Sequence, residues 1–549
     1  MRQYIYTLRS DLLNRVVKDY IDYITNPLNE HRRGSVDDFE RRFCSGYDDT
    51  PSTPTPKPLK VDQYTGETII YNLPRPKEST AKTKIQMIVD ILYRGFLNSE
   101  NGAFTMKSTV LKKITDQYKY ILDVLSYNLV VSITRTYTED DKYDKTLYSI
   151  HDPKQFHLIK VDRLVKKEVD RFDKWEEEKQ EERTKEIIAA TSQQFVERYN
   201  HCLRQLTIDE TSALNYIATE YAENTHSALS RIYTVRKISQ KQNIMLSKID
   251  DNGRLYHIGT QLQRDIKKFT NIEYSIDCKN SHPFLLVNVI LNYILDGTIH
   301  IINQQKEKQS TNPTLLYNLI RFLLDHNGTY VHYEFSDVAR RCLEQSKLEE
   351  RSVATALKQI ECFKSVRADV WQYVYDAASG RVWDNFVEEF NEERSLVKQS
   401  IFASVVYSYG RRRDKKKEAE DRWLRAFINH YPTVYDYIVK IKRNLHHQCV
   451  ESGRVRELSR PIVFYINEYV SVEIKSKDEV LLPMIMMGLE SEIFTEILRR
   501  LFNKRITCFG IHDAVAVIHS KLSVDDIKSV MMSVYAEHGL IPTLSVDYY

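Results

Sequence analysis

The sequence predicts an α+β fold, mostly helical, and three observations predict it. Val161 to Ala190 has no Gly or Pro and includes the charged run Lys174-Trp-Glu-Glu-Glu-Lys-Gln-Glu-Glu-Arg183, the pattern of a long, ion-paired, solvated helix. Ile506-Thr-Cys-Phe-Gly-Ile511 and Ala514-Val-Ala-Val-Ile518 are apolar and rich in β-branched residues, and only His512-Asp513 separates them. They read as two strands meeting at a tight turn. After residue 240, strand-like and helical segments alternate through to residue 549. A chain of 549 residues exceeds a single core and suggests roughly two to four domains.

Composition bounds the classes that remain. Hydrophobic residues make up 42% and charged residues 28%, a globular balance. The 79 basic and 76 acidic residues leave a net charge of +3, which neither demands nor excludes nucleic acid but leaves room for local basic clefts. Seven cysteines without a C-x-x-C pair argue against structural zinc and a disulfide framework, and fit a reducing cytoplasm. The start Met-Arg-Gln-Tyr-Ile-Tyr-Thr-Leu lacks an apolar signal core, and no stretch of about 18 residues is apolar throughout. A cytoplasmic chain with no membrane partner is the expectation; oligomeric state is left open.

Taken in order, Asp48-Asp-Thr-Pro-Ser-Thr-Pro-Thr-Pro-Lys-Pro58 reads as linker, because its prolines forbid a helix. Ser108 to Leu125 places Val110, Leu111, Ile114, Tyr118, Ile121, Leu122 and Leu125 at helical spacing. Strands are predicted at Leu129 to Tyr137 and Thr146 to Ile150, around a charged tip. Residues 1–155 therefore form an N-terminal helical or winged-helix-like region that touches DNA, or a generic small α+β domain. Residues 156–240 form a strongly helical region. Residues 241–549 carry the candidate chemistry.

There, Ile272 to Ile276 reads as a strand and Pro283 opens an apolar helix, so Asp277 stands at a strand end, from which a carboxylate can reach a metal ion. His512-Asp513 places a second carboxylate at a hairpin tip. Two carboxylates from adjacent strands can hold two magnesium ions roughly 3.5–4 Å apart. At about 100° per residue, Arg394, Lys398 and Phe402 share a narrow stripe of one helical face. A cationic pair followed by an aromatic suits a nucleoside triphosphate, with the cations on the phosphates and the ring against base or sugar. In Asp250-Asp-Asn-Gly253-Arg254, Asn-Gly signals a turn that would display Arg254 to a phosphate.

Together these segments resemble the polymerase core of family A DNA polymerases and phage-type single-subunit RNA polymerases. Arg394-x-x-x-Lys398-x-x-x-Phe402 resembles the fingers-helix motif B, Asp277 motif A, and His512-Asp513 motif C. Asp250-x-x-Gly253-Arg254 resembles the D-x-x-G-R motif of the RNA enzymes. Phe427-Ile-Asn-His-Tyr-Pro432 resembles the helix break after motif B, and Leu481 to Ile497 the helix before motif C. Val524 to Val546 resembles the closing helix and strand. The order matches, over roughly residues 245–549.

The resemblance implies a right-hand polymerase: an antiparallel-sheet palm, helical fingers at roughly 300–470, and a helical thumb at 156–240. It implies two Mg2+ ions (or Mn2+) on Asp277 and Asp513 with the Cys278 carbonyl. Arg394 and Lys398 would hold the triphosphate, with Lys398 also catalytic. Phe402 with Tyr407 or Tyr409 would meet the base, His512 the primer terminus, and Gly253 and Arg254 the primer or template. DNA template, nucleoside triphosphates and a nucleic-acid primer or RNA product are the implied partners, in a bacterial cell if the chain is phage- or plasmid-encoded.

Departures matter. The motif B tyrosine comes one position late as Tyr407 and three late as Tyr409. A regular helix favours Tyr409, roughly 20° off the Lys398 face, whereas a π-bulge would favour Tyr407. At the sugar-selecting position stands His282, where the DNA enzymes carry Glu and the RNA enzymes Gly. The Gln of the helix before motif C is replaced by Met487 or Glu490. Motif spacing leans to DNA synthesis, with RNA synthesis or priming as alternative. A third alternative is a nucleic-acid-binding replication or regulatory protein with a decayed palm.

Overall fold

Apolar periodicity in this chain resolves into helices joined by short antiparallel strands, and the fold is mixed α/β and mostly helical. A computed structural model describes residues 4–25, 76–99, 101–137, 143–161, 163–250, 252–296, 365–407, 421–451, 462–465, 471–474 and 481–549, with isolated positions between 317 and 362. The Asp48 to Pro58 segment, Tyr409 and much of 300–470 lie outside the described residues. Among the described residues, no helix is long and apolar enough to cross a membrane. The described cysteines Cys202, Cys278, Cys362 and Cys508 are free thiols.

The chain divides into two compact units. The first comprises Met1–Glu182 and Asp209–Gln240. Its strands are β1 (Tyr4–Leu8), β2 (Ala103–Thr105), β3 (Val131–Tyr137), β4 (Tyr143–Ile150) and β5 (Phe156–Lys160). β1 pairs with β5, and β2, β4 and β3 form an antiparallel sheet in that order. The helix Glu78–Leu97 buries Ile88, Leu92 and Phe96 in a core shared with Leu111, Ile121 and Leu125. Within it Asp90 is fully buried; it accepts the Tyr6 N–H at 2.8 Å and two contacts from the Arg94 guanidinium at 2.9 and 3.0 Å.

The helix predicted over 108–125 is in fact two, Ser108–Lys112 and Tyr118–Tyr127. Thr115 turns its hydroxyl back to accept the Gln117 N–H at 3.2 Å, a local bond that competes with the helical ladder.

The second unit comprises Arg183–Ile208 and Lys241–Tyr549. Its strands are β6 (Lys248–Ile249), β7 (Leu255–Tyr256), β8 (Tyr274–Cys278), β9 (Ile462–Tyr465), β10 (Ser471–Ile474), β11 (Thr507–Ile511), β12 (Ala514–His519) and β13 (Leu544–Tyr548). β11, β12, β8 and β13 form one antiparallel sheet in that order. Strand β8 runs two residues further than its apolar pattern predicts, so Asp277 is its penultimate residue, and the following helix begins at Ser281, before Pro283.

Three apolar helices back this sheet: Ser281–Asp296, Leu481–Asn503 and Val524–Glu537, burying Leu286, Ile290, Ile493, Ile497, Met531 and Val534. Each such side chain contributes about 1.5–3 kcal/mol of burial. From Gln193–Gln205, Phe195 and Tyr199 pack their rings on Phe502 at 5.5 and 5.8 Å, so this helix is tied to the same unit.

Asp90→Ala would remove the buried acceptor that Arg94 and the Tyr6 N–H share. It is expected to cost about 3 kcal/mol of stability in urea unfolding, against under about 1 kcal/mol for an exposed pair.

Candidate active site

Asp277 and Asp513 are brought together by strand register. In the β12–β8 ladder, Asp277 faces Ala514, the residue after Asp513, and the Cys278 N–H donates to the Asp513 carbonyl at 3.2 Å. The two carboxylates therefore stand at the same end of neighbouring strands. His512 adopts φ 54°, a left-handed conformation that lets the chain reverse within His512-Asp513. On its other side Asp277 faces Ser545 of β13.

Electrostatics follow from that placement. Burial pushes the Asp277 carboxyl up, and the nearby Asp513 pushes it further; Lys398 pulls it back. Burial likewise raises Asp513, with Glu490 adding to the rise and Lys398 opposing it. Each acid is therefore reluctant to ionise in this pair, and a cation at the pair relieves both. Lys398 lies on the helix Arg394–Ile401 and is itself exposed. Arg394, one turn earlier, donates from Nη2 to the Asn280 side-chain oxygen at 3.2 Å and to the Gly380 carbonyl at 3.2 Å, and its Nε lies 3.4 Å from Asp384.

Phe402 ends the regular helix. Residues Phe402–Val406 form a π-helical turn, closed by the Tyr407 N–H donating to the Phe402 carbonyl at 2.8 Å. The extra residue in that turn places the Tyr407 ring 5.9 Å from Phe402, on the side of the site. Tyr407 also feels charge: burial raises its hydroxyl pKa, Arg254 lowers it and Glu490 raises it. Phe402 is itself buried, 5.1 Å from the Trp383 ring and edge-on to His282 at 5.7 Å.

Arg254 is not displayed to solvent as its turn suggested. The turn forms, with Gly253 at φ 82° and the Gly253 N–H on the Asp250 carbonyl at 3.0 Å, but the guanidinium points inward to Glu490. Arg254 Nε donates to Glu490 Oε2 at 3.1 Å, and the Ser281 hydroxyl donates to Oε1 at 2.7 Å. His282 Nε2 lies 3.5 Å from Oε1 and 3.0 Å from Arg254 Nη2. Burial alone would raise Glu490, but His282, Arg254 and Ser281 hold its carboxyl well below the ordinary range. It is a buried anion with a full set of partners.

Behind the hairpin, the Gly259 N–H donates to His257 Nδ1 at 3.0 Å, so the His257 proton is on Nε2, 2.8 Å from the Gly510 carbonyl. The Tyr199 hydroxyl accepts the Gly510 N–H at 3.0 Å. Both backbone groups of Gly510, three residues before Asp513, are thus tied down. His512 is pushed to a lower pKa by burial and then by Arg254, and its ring lies edge-on to Tyr256 at 6.4 Å.

The site thus gathers Asp277, Asp513, Cys278, Lys398, Arg394, Phe402, Tyr407, His282, Gly253, Arg254 and His512 within one unit. Sequence reasoning missed Asn280, Ser281, Tyr199 and His257, and gave Glu490 only as one of two positions. Arg254 and Glu490 are 236 residues apart, and no local pattern links them. No protein-family model matches the chain, and no curated protein matches it.

His257 yields a pH prediction. Burial lowers its pKa from the ordinary 6.5 to about 4, so below pH 6.5 the unfolded chain takes up a proton that the folded chain refuses. The stability this site contributes is complete above pH 6.5 and is lost as pH falls towards 4, by about 2 kcal/mol at pH 5. Urea unfolding at pH 7.5 and pH 5 should show that loss, and His257→Asn should show a smaller one over the same interval.

Proposed function

We propose that the chain is a template-directed nucleotidyltransferase of right-hand architecture. In this reading the β11–β12–β8–β13 sheet is the palm, the helices from Arg394 onward belong to the fingers, and the helical 156–240 region is the thumb. The observation that carries the reading is the Asp277–Asp513 pair, two half-buried carboxylates at the same end of neighbouring strands with Lys398 in their field. Among the described residues no group of three His, Cys, Asp or Glu gathers as a metal cage. Magnesium needs none, since it is usually held by one or two carboxylates plus substrate phosphates and waters. Asp277 and Asp513, with the Cys278 carbonyl, suit it. Two bound Mg2+ or Mn2+ ions supply the chemistry of an activated sugar hydroxyl and a neutralised leaving pyrophosphate.

The chain's own groups do the rest. Arg394, held by Asn280 and Gly380, binds the phosphates of the incoming nucleotide. Lys398, one turn nearer the carboxylates, gives a proton to the departing pyrophosphate. Tyr407, partly exposed, offers a ring face to the base, while Phe402 props Tyr407 and His282 from below. His512 stands by the primer terminus. Arg254 reaches nucleic acid only through the exposed fifth of its side chain, the remainder being engaged by Glu490.

DNA synthesis is the first reading of the product, on motif spacing. RNA synthesis is the second, favoured by His282: its imidazole can hydrogen-bond a sugar hydroxyl, and a site built around such a bond rejects the sugar lacking that hydroxyl.

The test is primer extension on a primed single-stranded template with Mg2+, dNTPs and NTPs in parallel. Asp277→Asn and Asp513→Asn are each expected to abolish nucleotide addition while primer–template retention stays within about twofold of the parent. Lys398→Ala should slow addition by about 10²–10⁴-fold. Activity retained in both aspartate variants would remove the metal assignment; no addition by the parent with either nucleotide set would favour a nucleic-acid-binding protein.

A further inference from the structure

The strand that leads into the Asp513 turn is an edge. In the order β11–β12–β8–β13, β11 lies outermost, so among the described residues no strand pairs with its outer side. Asp277 and Asp513 repel each other when both are charged, and an outer hairpin is the part of a sheet with most freedom to swing away from such repulsion. Side chains from elsewhere hold it in place.

The helix Gln193–Gln205 stands where the next strand would be. Tyr199 and Cys202, three residues apart and so on one helical face, both reach the backbone of β11 and the residue before it. The Tyr199 hydroxyl accepts the Gly510 N–H at 3.0 Å and has the Gly510 carbonyl 3.3 Å away, while the Cys202 thiol donates to the Ile506 carbonyl at 3.9 Å. His257 comes from a third segment: its Nε2–H lies 2.8 Å from the Gly510 carbonyl and 3.0 Å from the Tyr199 oxygen. Burial pushes the Tyr199 pKa up, so the hydroxyl keeps its proton and can donate as well as accept. Glycine at 510 permits this approach, since a Cβ there would lie 3.2 Å from Leu498 Cδ1 and 3.5 Å from the Tyr199 oxygen. Tyr199 is fully buried and 311 residues from Gly510, so nothing local to the hairpin encodes the contact.

We propose that Tyr199 is a positioning residue for Asp513: its hydroxyl fixes the open edge of β11 and thereby sets the separation at which Asp513 and Asp277 meet a divalent cation. Tyr199 itself touches neither cation nor nucleotide; it acts through Gly510 and the three-residue step to Asp513. This role rests on the metal-holding half of the nucleotidyltransferase reading, and not on turnover.

Mn2+ binding by the full chain, followed by electron paramagnetic resonance, separates positioning from packing. Tyr199→Phe keeps the ring against Phe195 and Phe502 and removes only the hydroxyl. It should still melt cooperatively and yet bind Mn2+ about tenfold more weakly, a loss typical when a group that orients a metal ligand is removed. Phe195→Leu thins the same ring packing without touching Gly510. It should melt at a lower temperature but bind Mn2+ within about twofold of the parent, because packing and ligand orientation are then separate effects. Parent-like Mn2+ binding in Tyr199→Phe, an equal loss in Phe195→Leu, or no Mn2+ binding by the parent would each overturn the role. A parent chain that binds Mn2+, weakens in Tyr199→Phe alone and yet extends no primer would sustain it and remove the polymerase reading.

Discussion

Two carboxylates of like charge, held side by side by the pairing of β12 with β8, are the constraint around which the second unit is organised. Neither Asp277 nor Asp513 can move apart from the other without breaking ladder hydrogen bonds, and burial makes each charge costly. The surrounding residues answer that cost. Lys398 lowers the pKa of both acids, while β11 and β13 flank the paired strands and hold them flat against three apolar helices. Tyr199 and His257 hold Gly510, so the hairpin that carries Asp513 has little freedom to relax.

Glu490 supplies the second organising charge. It draws Arg254, Ser281 and His282 from two other segments to one buried carboxylate, and the first turn of the helix after β8 is thereby fixed relative to the Asp250–Arg254 turn. A neutral glutamine at 490 could not balance the Arg254 charge in that burial. The π-helical turn at Phe402–Val406 does a comparable job for the Arg394–Ile401 helix: one added residue per turn rotates Tyr407 toward this cluster.

Local pattern made part of this legible. The hairpin around His512-Asp513 follows from its β-branched flanks and turn chemistry, whereas the helix break at Tyr431 between Arg422–His430 and Pro432–Glu451, and the closing helix and strand, were expected only from the polymerase resemblance. The split of 108–125 was hidden because Thr115 leaves the apolar period intact while its hydroxyl diverts the backbone. Arg254 was misplaced for a similar reason: Asn-Gly fixes the turn, but the direction of the guanidinium is set by a carboxylate 236 residues away. Asn280 gave no signal at all, since the guanidinium it accepts from is 114 residues away.

The central claim is that Asp277 and Asp513 jointly hold divalent cations beside a triphosphate. Counting bound Mn2+ by electron paramagnetic resonance, with a nucleoside triphosphate present and absent, tests it most directly. The account predicts tight Mn2+ binding that rises on adding nucleotide in the parent chain, and loss of that binding in an Asp277→Asn, Asp513→Asn double variant that still melts cooperatively. Equal Mn2+ binding by the folded double variant would contradict it.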